Sequence, residues 1–436
     1  LTVSISRALR SRPRGVDVLT ISASITEFVA AATGSLLMIF YASYYVLTLA
    51  STRRLRPMAK SRNKAPHRLS VIVPTYNEER NISPKIHNLL EQTYPKEFME
   101  VIVVDGCSTD GTLKMANDLA SRLRSIVSIR VLGIDQRRGK SYQMNMALKE
   151  ARGEIIVSTD ADVTLNPDAI ARLVSHFDDE RVGAVTARQS LISTYASMQA
   201  SLERQYRNMY EVIRLGESNL HSTPIFWGGL SAYRASAVRP IREDLNADDS
   251  QFAIEAIRSG FRALYDPSSI FYTYATRGAR SAWSQRVRRG QGLVRTFYYN
   301  ADMLFKRRLG SFGLIIFPAE YFMHVISPIF TLTFIVTFPV SAATGGYSLL
   351  LLPTTFILAL CLLVLMLLPR KGSRSISVIW NLILSFVSYQ LALLIAMLLF
   401  AAGKRLHLWT NVSDSTMADA NLHPTDISSR AISTGF

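Results

Sequence analysis

The sequence predicts an α/β protein: a doubly wound sheet with helices on both faces, inserted between transmembrane helices, about four in number. Three observations carry this. Short runs rich in Val and Ile alternate with amphipathic stretches through the middle of the chain, long uncharged stretches flank that middle, and basic residues crowd the junctions. The 436 residues are 48% hydrophobic and 19% charged, with a mean hydropathy of +0.15, too apolar for an ordinary soluble enzyme or a disordered chain. Two cysteines, Cys107 and Cys361, exclude a disulfide framework and a cysteine zinc cluster.

After an amino-terminal segment, 1–27, residues 28–50 carry no Asp, Glu, Lys or Arg and form the first span. The run is too long for a secretory signal. A basic linker, 51–68, follows. The carboxy-terminal part, 310–403, opens with an interfacial segment around Phe312 to Glu320, interrupted by Pro318 and Glu320. Residues 321–369 are again without formal charge and are broken by the polar turn from Ser341 to Ser348, which makes two spans; 375–403 makes the fourth. Arg53, Arg54, Arg56, Lys60, Arg62, Lys64 and Arg68 after the first span, and Lys306, Arg307 and Arg308 before the second, place the intervening domain in the cytoplasm of a multi-pass cell-membrane protein. Arg370, Lys371 and Arg374 agree, Arg7, Arg10, Arg12 and Arg14 are outvoted, and the tail, 404–436, falls outside.

The domain at 69–309 has room for the chemistry. Residues 69–73, 101–104, 129–132, 155–157 and 182–187 read as buried strands, and 79–91, 112–123, 141–151 and 168–177 as helices between them. Ligands of such a sheet sit beyond the carboxyl ends of its strands. There the sequence is polar: Pro74-Thr75-Tyr76-Asn77-Glu78-Glu79, then Asp105-Gly106-Cys107-Ser108-Thr109-Asp110-Gly111, then Ser158-Thr159-Asp160-Ala161-Asp162. One such segment is a capped loop; three on one sheet edge are a site.

Asp160 and Asp162 leave a strand as alternate residues and suit Mg²⁺ or Mn²⁺, with diphosphate oxygens completing the octahedron; Asp162 also fits as the start of a turn into the next helix. Lys140, beside Gly139 at a helix start, suits a phosphate or is a solvated lysine, but Gly133 to Gly139 lacks the P-loop spacing, which disfavours a nucleoside triphosphatase. Trp227-Gly228-Gly229 lets a ligand approach the backbone or makes a tight turn. Asp248 and Asp249 together exceed what a helix cap requires. Arg277 to Arg308 holds nine basic residues against one acidic; Arg288 or Arg289 suits a diphosphate, and the rest suit lipid headgroups.

This set resembles the membrane glycosyltransferases of family 2, the group of the cellulose, chitin and hyaluronan synthases. Asp105, Asp160-Ala161-Asp162, Gly228-Gly229 and Asp248-Asp249 stand in the family's order, Gln285 to Arg288 fits its Gln-x-x-Arg element, and the resemblance covers Leu69 to Tyr299. It implies a GT-A fold binding a nucleotide-diphosphate sugar. Thr75, Tyr76, Glu78 and Asp105 would hold base and ribose, Asp160 and Asp162 ribose, metal and diphosphate, and Lys140, Gln285, Arg288 and Arg289 the diphosphate. Gly228, Gly229 and Asp248 would face the acceptor, and Asp249, matching the second acid of Thr-Glu-Asp, would be the general base of an inverting transfer.

Two departures are visible. The family's usual Asp-Asp-Gly-Ser is Asp105-Gly106-Cys107-Ser108 here, and Arg289 stands where processive synthases follow Gln-x-x-Arg with Trp. The reading favoured is therefore transfer of single sugars to a lipid-linked or membrane-proximal glycan, ahead of a processive polysaccharide synthase or a non-catalytic nucleotide-sugar sensor. The net charge of +16 lies at span flanks rather than in an isolated basic domain, which argues against nucleic acid as a partner and for the bilayer.

Overall fold

Period-two alternation builds the sheet from the middle of the chain. In the computed structural model, which describes residues 18–53, 65–192, 198–274, 278–343 and 375–406, the first strand, β1 (Leu69–Thr75), sends Val71 and Val73 into one apolar cluster and Ile72 into another on the opposite face. Strand β2 (Met99–Asp105) divides Val101 and Val103 from Ile102 and Val104 in the same way. Both faces are covered. Helices α2 (Glu79–Leu90), α3 (Thr112–Arg122) and α5 (Ala169–Ser175) contribute to one cluster, and α4 (Lys140–Glu150), α7 (Asp248–Arg258) and α8 (Ala279–Tyr299) to the other. Other long helices are α1 (Val18–Thr52), α6 (Met198–Leu220) and the carboxy-terminal pair Ser327–Ala343 and Ser375–Ala401.

Strand β1 pairs in parallel with β2 and with β4 (Ile155–Ser158), and β2 pairs in parallel with β3 (Ser128–Gly133). These four are the strands expected at 69–73, 101–104, 129–132 and 155–157. Beyond β4 the sheet departs from a simple doubly wound pattern. The eight strands run in the order β3-β2-β1-β4-β7-β6-β8-β5, with β5 at Thr164–Leu165 and β6 at Val182–Ile192. Strand β7 (Ser231–Arg234) sits antiparallel between β4 and β6, so the sheet is mixed. Only four residues long and half polar, β7 gives little strand signal. Strand β8 (Arg262–Tyr274) is interrupted where Ala187 pairs with Asp266 but Arg188 pairs with Ile270. That bulge takes up Pro267, whose missing N–H would otherwise break the ladder.

Three described helices are long and apolar enough to cross a membrane: Ser24–Thr52, Phe312–Ala343 and Ile383–Ala401. The further span expected before residue 369 lies outside the described residues. The segment expected to be interfacial, Phe312 to Glu320, is instead continuous with the span. Wide turns at Phe312–Ile316 and Phe322–Ile326 flank Phe317–Tyr321, and Pro318 stands in the first turn of that piece, where its lack of an N–H is tolerated.

The chain divides into two units, Leu1–Tyr44 with Ile326–Ile379, and Tyr45–Val325 with Trp380–Phe436. In the first, Gly34 admits the Phe334 ring, which a Cβ would meet at 2.7 Å, and the Tyr41 and Ser327 hydroxyls lie 2.9 Å apart. The second holds the sheet and both anchors of its apolar helices. Asn219 donates to the Ser51 carbonyl at 3.0 Å, and Gly216 brings α6 against Thr48. Gln291 of α8, fully buried, donates to the Lys404 carbonyl at 2.9 Å and accepts from the Leu406 N–H at 2.8 Å. The start of the tail, expected outside, therefore lies on the sheet-bearing unit, because a buried amide holds its backbone there.

Candidate active site

The loops after β1 and β2 lock each other. Thr75 donates to the Val104 carbonyl at 3.2 Å, and Asp105 accepts from the Ser108 N–H at 2.9 Å and the Ser108 hydroxyl at 2.6 Å. Gln143 of α4 donates to the Thr75 and Val104 carbonyls and fills the space that a side chain at Gly106 would need. Asn77 and Cys107 turn these loops at positive φ, 55° and 66°. Glu78 is buried, accepts from Asn81 at 2.6 Å, and has its pKa pushed up to about 8 by burial first and by Asp162 second. Arg137 stacks its guanidinium 4.0 Å from the Tyr76 ring. Of these residues, Thr75, Tyr76, Glu78 and Asp105 do not line the cleft described next; Pro74 does.

A cleft of about 340 Å³ opens at the ends of β1 and β4. One end holds Lys140, Asp160, Asp162, Gly228, Asp248 and Asp249. Lys140 donates to Asp160 Oδ1 at 2.7 Å and pairs with Asp248 at 3.4 Å. Burial works against its charge, but Asp160, Asp248 and Asp249 outweigh burial and hold its pKa above the usual lysine value. One ammonium does not balance four carboxylates. Burial, then Asp160, raises the Asp162 carboxyl to about 6; burial, then Asp248, raises Asp249 to about 7. Beneath them lies Lys85, fully buried, donating to Thr159 at 2.7 Å and to the Val163 carbonyl at 3.1 Å, its pKa lowered by burial to about 7.

The adjacent glycines do different work. A Cβ on Gly228 would stand 3.0 Å from Lys140 Nζ, 3.4 Å from Asp160 Oδ2 and 3.7 Å from Asp249 Oδ2, inside the carboxylate cluster. On Gly229 it would stand 2.1 Å from the Phe271 ring, while the Gly229 carbonyl accepts from Thr159 at 2.7 Å. Gly228 thus leaves room for a ligand and Gly229 leaves room for the core. The residues expected to act together as a diphosphate clamp also separate. Gln285 lines the cleft. Arg288 lies in the field of Asp160, Asp248 and Asp162, with burial and Arg289 lowering its pKa to about 10. Arg289 is 3.9 Å from Glu203, and Arg286 is 3.4 Å from it.

Among the described residues no group of three or more His, Cys, Asp or Glu could by itself hold a metal ion. Two neighbouring carboxylates, the Asp162 one raised to about 6 by burial first and by Asp160 second, nevertheless fit a divalent cation whose other ligands come from phosphate oxygens, the habit of Mg²⁺ and Mn²⁺ at nucleotide sites. Asp160 and Asp162 are the residues that would hold it.

Residues 70–242 match the family described as glycosyl transferase family 2. The chain carries a family 2 glycosyltransferase domain. TarS of Staphylococcus aureus, a poly(ribitol-phosphate) β-N-acetylglucosaminyltransferase, is 34% identical over 26% of this chain and 19% of its own. The poly-β-1,6-N-acetyl-D-glucosamine synthase of S. aureus is 22% identical over 60% of this chain and 65% of its own. Both alignments span less than two thirds of the relative. Among solved structures, the mannosyltransferase PcManGT from Pyrobaculum calidifontis, in complex with GDP-Man and Mn²⁺, superimposes with a TM-score of 0.64 at 29% identity, covering 87% of this chain and 100% of that one. The fold is GT-A-like.

The matched glycosyltransferase segment contains Thr75 through Gly229 and stops before Asp248, Asp249 and the α8 arginines, which the fold brings to the same cleft. Sequence reasoning missed what lines the cleft's other end. Glu203, Arg207, Tyr210 and Arg214 follow one another on α6, Trp227 stands between two guanidiniums, Arg214 at 4.0 Å and Arg207 at 5.1 Å, and Tyr389 donates to Glu203 at 2.8 Å. The spacing i, i+4, i+7, i+11 was the available signal, and it is one helix face.

Proposed function

We propose that this family 2 glycosyltransferase is a membrane-embedded, inverting, metal-dependent enzyme that moves a sugar from a nucleotide-diphosphate sugar to an acceptor presented at the membrane, with its catalytic domain in the cytoplasm. The observation that carries the reading is the convergence of Lys140, Asp160 and Asp249 around the open Cα of Gly228, with Asp248 paired to Lys140 and Asp162 lining the same cleft. Asp160 and Asp162 are the residues that would hold a divalent cation, which would supply positive charge to offset that of the departing diphosphate. Lys140 and Arg288 stabilise the same negative charge in a partly water-excluded site.

Asp249 takes the proton from the acceptor hydroxyl as it attacks the anomeric carbon from the face opposite the diphosphate. Its carboxyl, raised to about 7 by burial and by Asp248, is a stronger base than an exposed carboxylate and is still ionised in part at neutral pH. Thr75, Tyr76, Glu78 and Asp105 shape the base and ribose end, chiefly by fixing the loops. Three long apolar helices and the synthase relative support membrane embedding. Single-sugar transfer is the reading for Arg289, which faces Glu203 where a processive synthase carries a sugar-stacking Trp.

Binding of a panel of uridine and guanosine diphosphate sugars to the full-length protein, with and without Mn²⁺, followed by nucleotide release on adding membrane lipid extract, tests this. Metal-dependent binding with release is the expected result; binding without any release under all acceptors would favour a sensor, and no binding to any donor would refute the reading.

A further inference from the structure

Resting on the transferase reading, we propose that the far end of the cleft is a phosphate site and that the acceptor carries a phosphate ester. Helix α6 turns Glu203, Arg207 and Arg214 to the cleft on one face, and α8 adds Arg286 and Arg289. Glu203 is the carboxylate at their centre, 2.8 Å from Arg207, 3.4 Å from Arg286 and 3.9 Å from Arg289. Three guanidiniums on one carboxylate leave a surplus of two positive charges, and they do so in a cleft rather than on an open surface.

The donors are not used up. Arg207 is 6% exposed, yet among the described residues its Nη1 is buried without a hydrogen-bond partner, and the Nε of Arg286 is buried in the same condition. A buried charged donor left unsatisfied is costly, and because both side chains line the cleft, an acceptor group brought within reach by a small side-chain movement would relieve that cost. Trp227 under Arg207 and Tyr389 under Arg286, at 5.1 Å and 4.4 Å, fix the guanidinium planes. A sugar hydroxyl could satisfy one N–H but would leave the charge surplus; a tetrahedral phosphate oxyanion meets both, by the fork geometry that favours arginine over lysine. The wall then passes to Tyr389, Ala392 and Leu393 of the last apolar helix, an approach suited to a phosphate borne by a lipid.

The test titrates the full-length protein in neutral detergent with farnesyl phosphate, farnesol and glycerol 1-phosphate. Farnesyl phosphate should bind roughly tenfold or more tightly than farnesol, and Arg207→Gln and Arg289→Gln should each weaken it by about five- to tenfold. Arg289, 49% exposed, is the variant that leaves packing intact, and Arg289→Lys should recover part of the loss. Binding of UDP or GDP with Mn²⁺ should move less than about twofold in Arg207→Gln, whose guanidinium pairs with Glu203 rather than with the Asp160, Asp162, Asp248 and Asp249 group. Preference for farnesyl phosphate over glycerol 1-phosphate assigns the phosphate to a lipid; equal binding assigns it to a soluble ester. Farnesyl phosphate binding no better than farnesol, or unchanged in both arginine-to-glutamine variants, overturns the proposal. Absence of any nucleotide binding by the unmodified protein would sink the transferase reading alone, since phosphate binding is read independently.

Discussion

The two ends of one cleft treat a carboxylate in opposite ways. Where Asp160, Asp162, Asp248 and Asp249 crowd around Lys140, burial and like charge push the Asp249 carboxyl up to about 7. Where Glu203 meets Arg207 and Arg289, burial opposes ionisation but the guanidiniums and the Tyr389 hydroxyl hold it down at about 2. Burial opposes ionisation at both carboxyls, so the opposite outcomes come from the neighbours. The aspartate-rich end is short of positive charge, which suits a cation; the arginine-rich end has positive charge to spare, which suits an anion. A nucleotide sugar with its cation at one end and an anionic acceptor at the other would cancel both imbalances.

The largest expected effect breaks the donor end alone. Asp249→Asn should lower turnover by roughly a thousandfold, within the usual range for a general base, while the donor dissociation constant changes less than about twofold. The pH profile is the sharper readout. Transfer by the unmodified protein should rise as pH climbs towards about 7, where the Asp249 carboxyl gives up its proton, and that limb should vanish in the variant. Full turnover by Asp249→Asn would move the base elsewhere.

Stability should show the reverse sign at the two ends. Asp249 has a folded pKa above its unfolded value of 3.8, so its ionisation destabilises the metal-free protein as pH rises from about 4 through about 7. Glu203 has a folded pKa below its unfolded value of 4.5, so it stabilises above about 4.5 and loses that contribution as pH falls towards about 2. In EDTA at pH 8, Asp249→Asn should therefore melt a few degrees higher than the unmodified protein, and Glu203→Gln a few degrees lower. Shifts of the same sign in thermal denaturation would remove the contrast.

What the sequence made legible follows the same division. Strands β1, β2 and β4 carry apolar cores buried on both faces, whereas β3, at the sheet edge, is half-exposed; of the polar residues after them, Asp160 and Asp162 after β4 line the cleft, and these parts can be read directly because local composition and tertiary role coincide. The far end could not be read this way. Helix α6 turns charged residues to the cleft, so its Glu203 to Arg214 stripe lacks the apolar period that announces a helix. Strand β8 hides behind the Asp266-Pro267-Ser268-Ser269 bulge. Gln285 to Arg289 reads as one basic patch, but residues two apart on a helix point roughly 200° apart, which sends Arg288 to the donor carboxylates and Arg286 to Glu203.

A smaller effect separates the glycines, which sequence reasoning had grouped. Gly229→Ala drives a methyl into the Phe271 ring at 2.1 Å and should cost about 1–3 kcal/mol of stability, seen as a lower melting temperature. Gly228→Ala meets the flexible end of Lys140 at 3.0 Å and should fold normally, with donor affinity reduced a few-fold. If both variants only destabilised, Gly228 would belong to the core rather than to the ligand. If neither melted lower, the approach of Phe271 to Gly229 would be looser than the geometry states. The contrast matters because the two positions share a β-turn, so a backbone requirement common to both would act on them alike, whereas contact with different neighbours acts on them apart. Only the second cause predicts that a single methyl can be moved from the core to the ligand by one step along the chain.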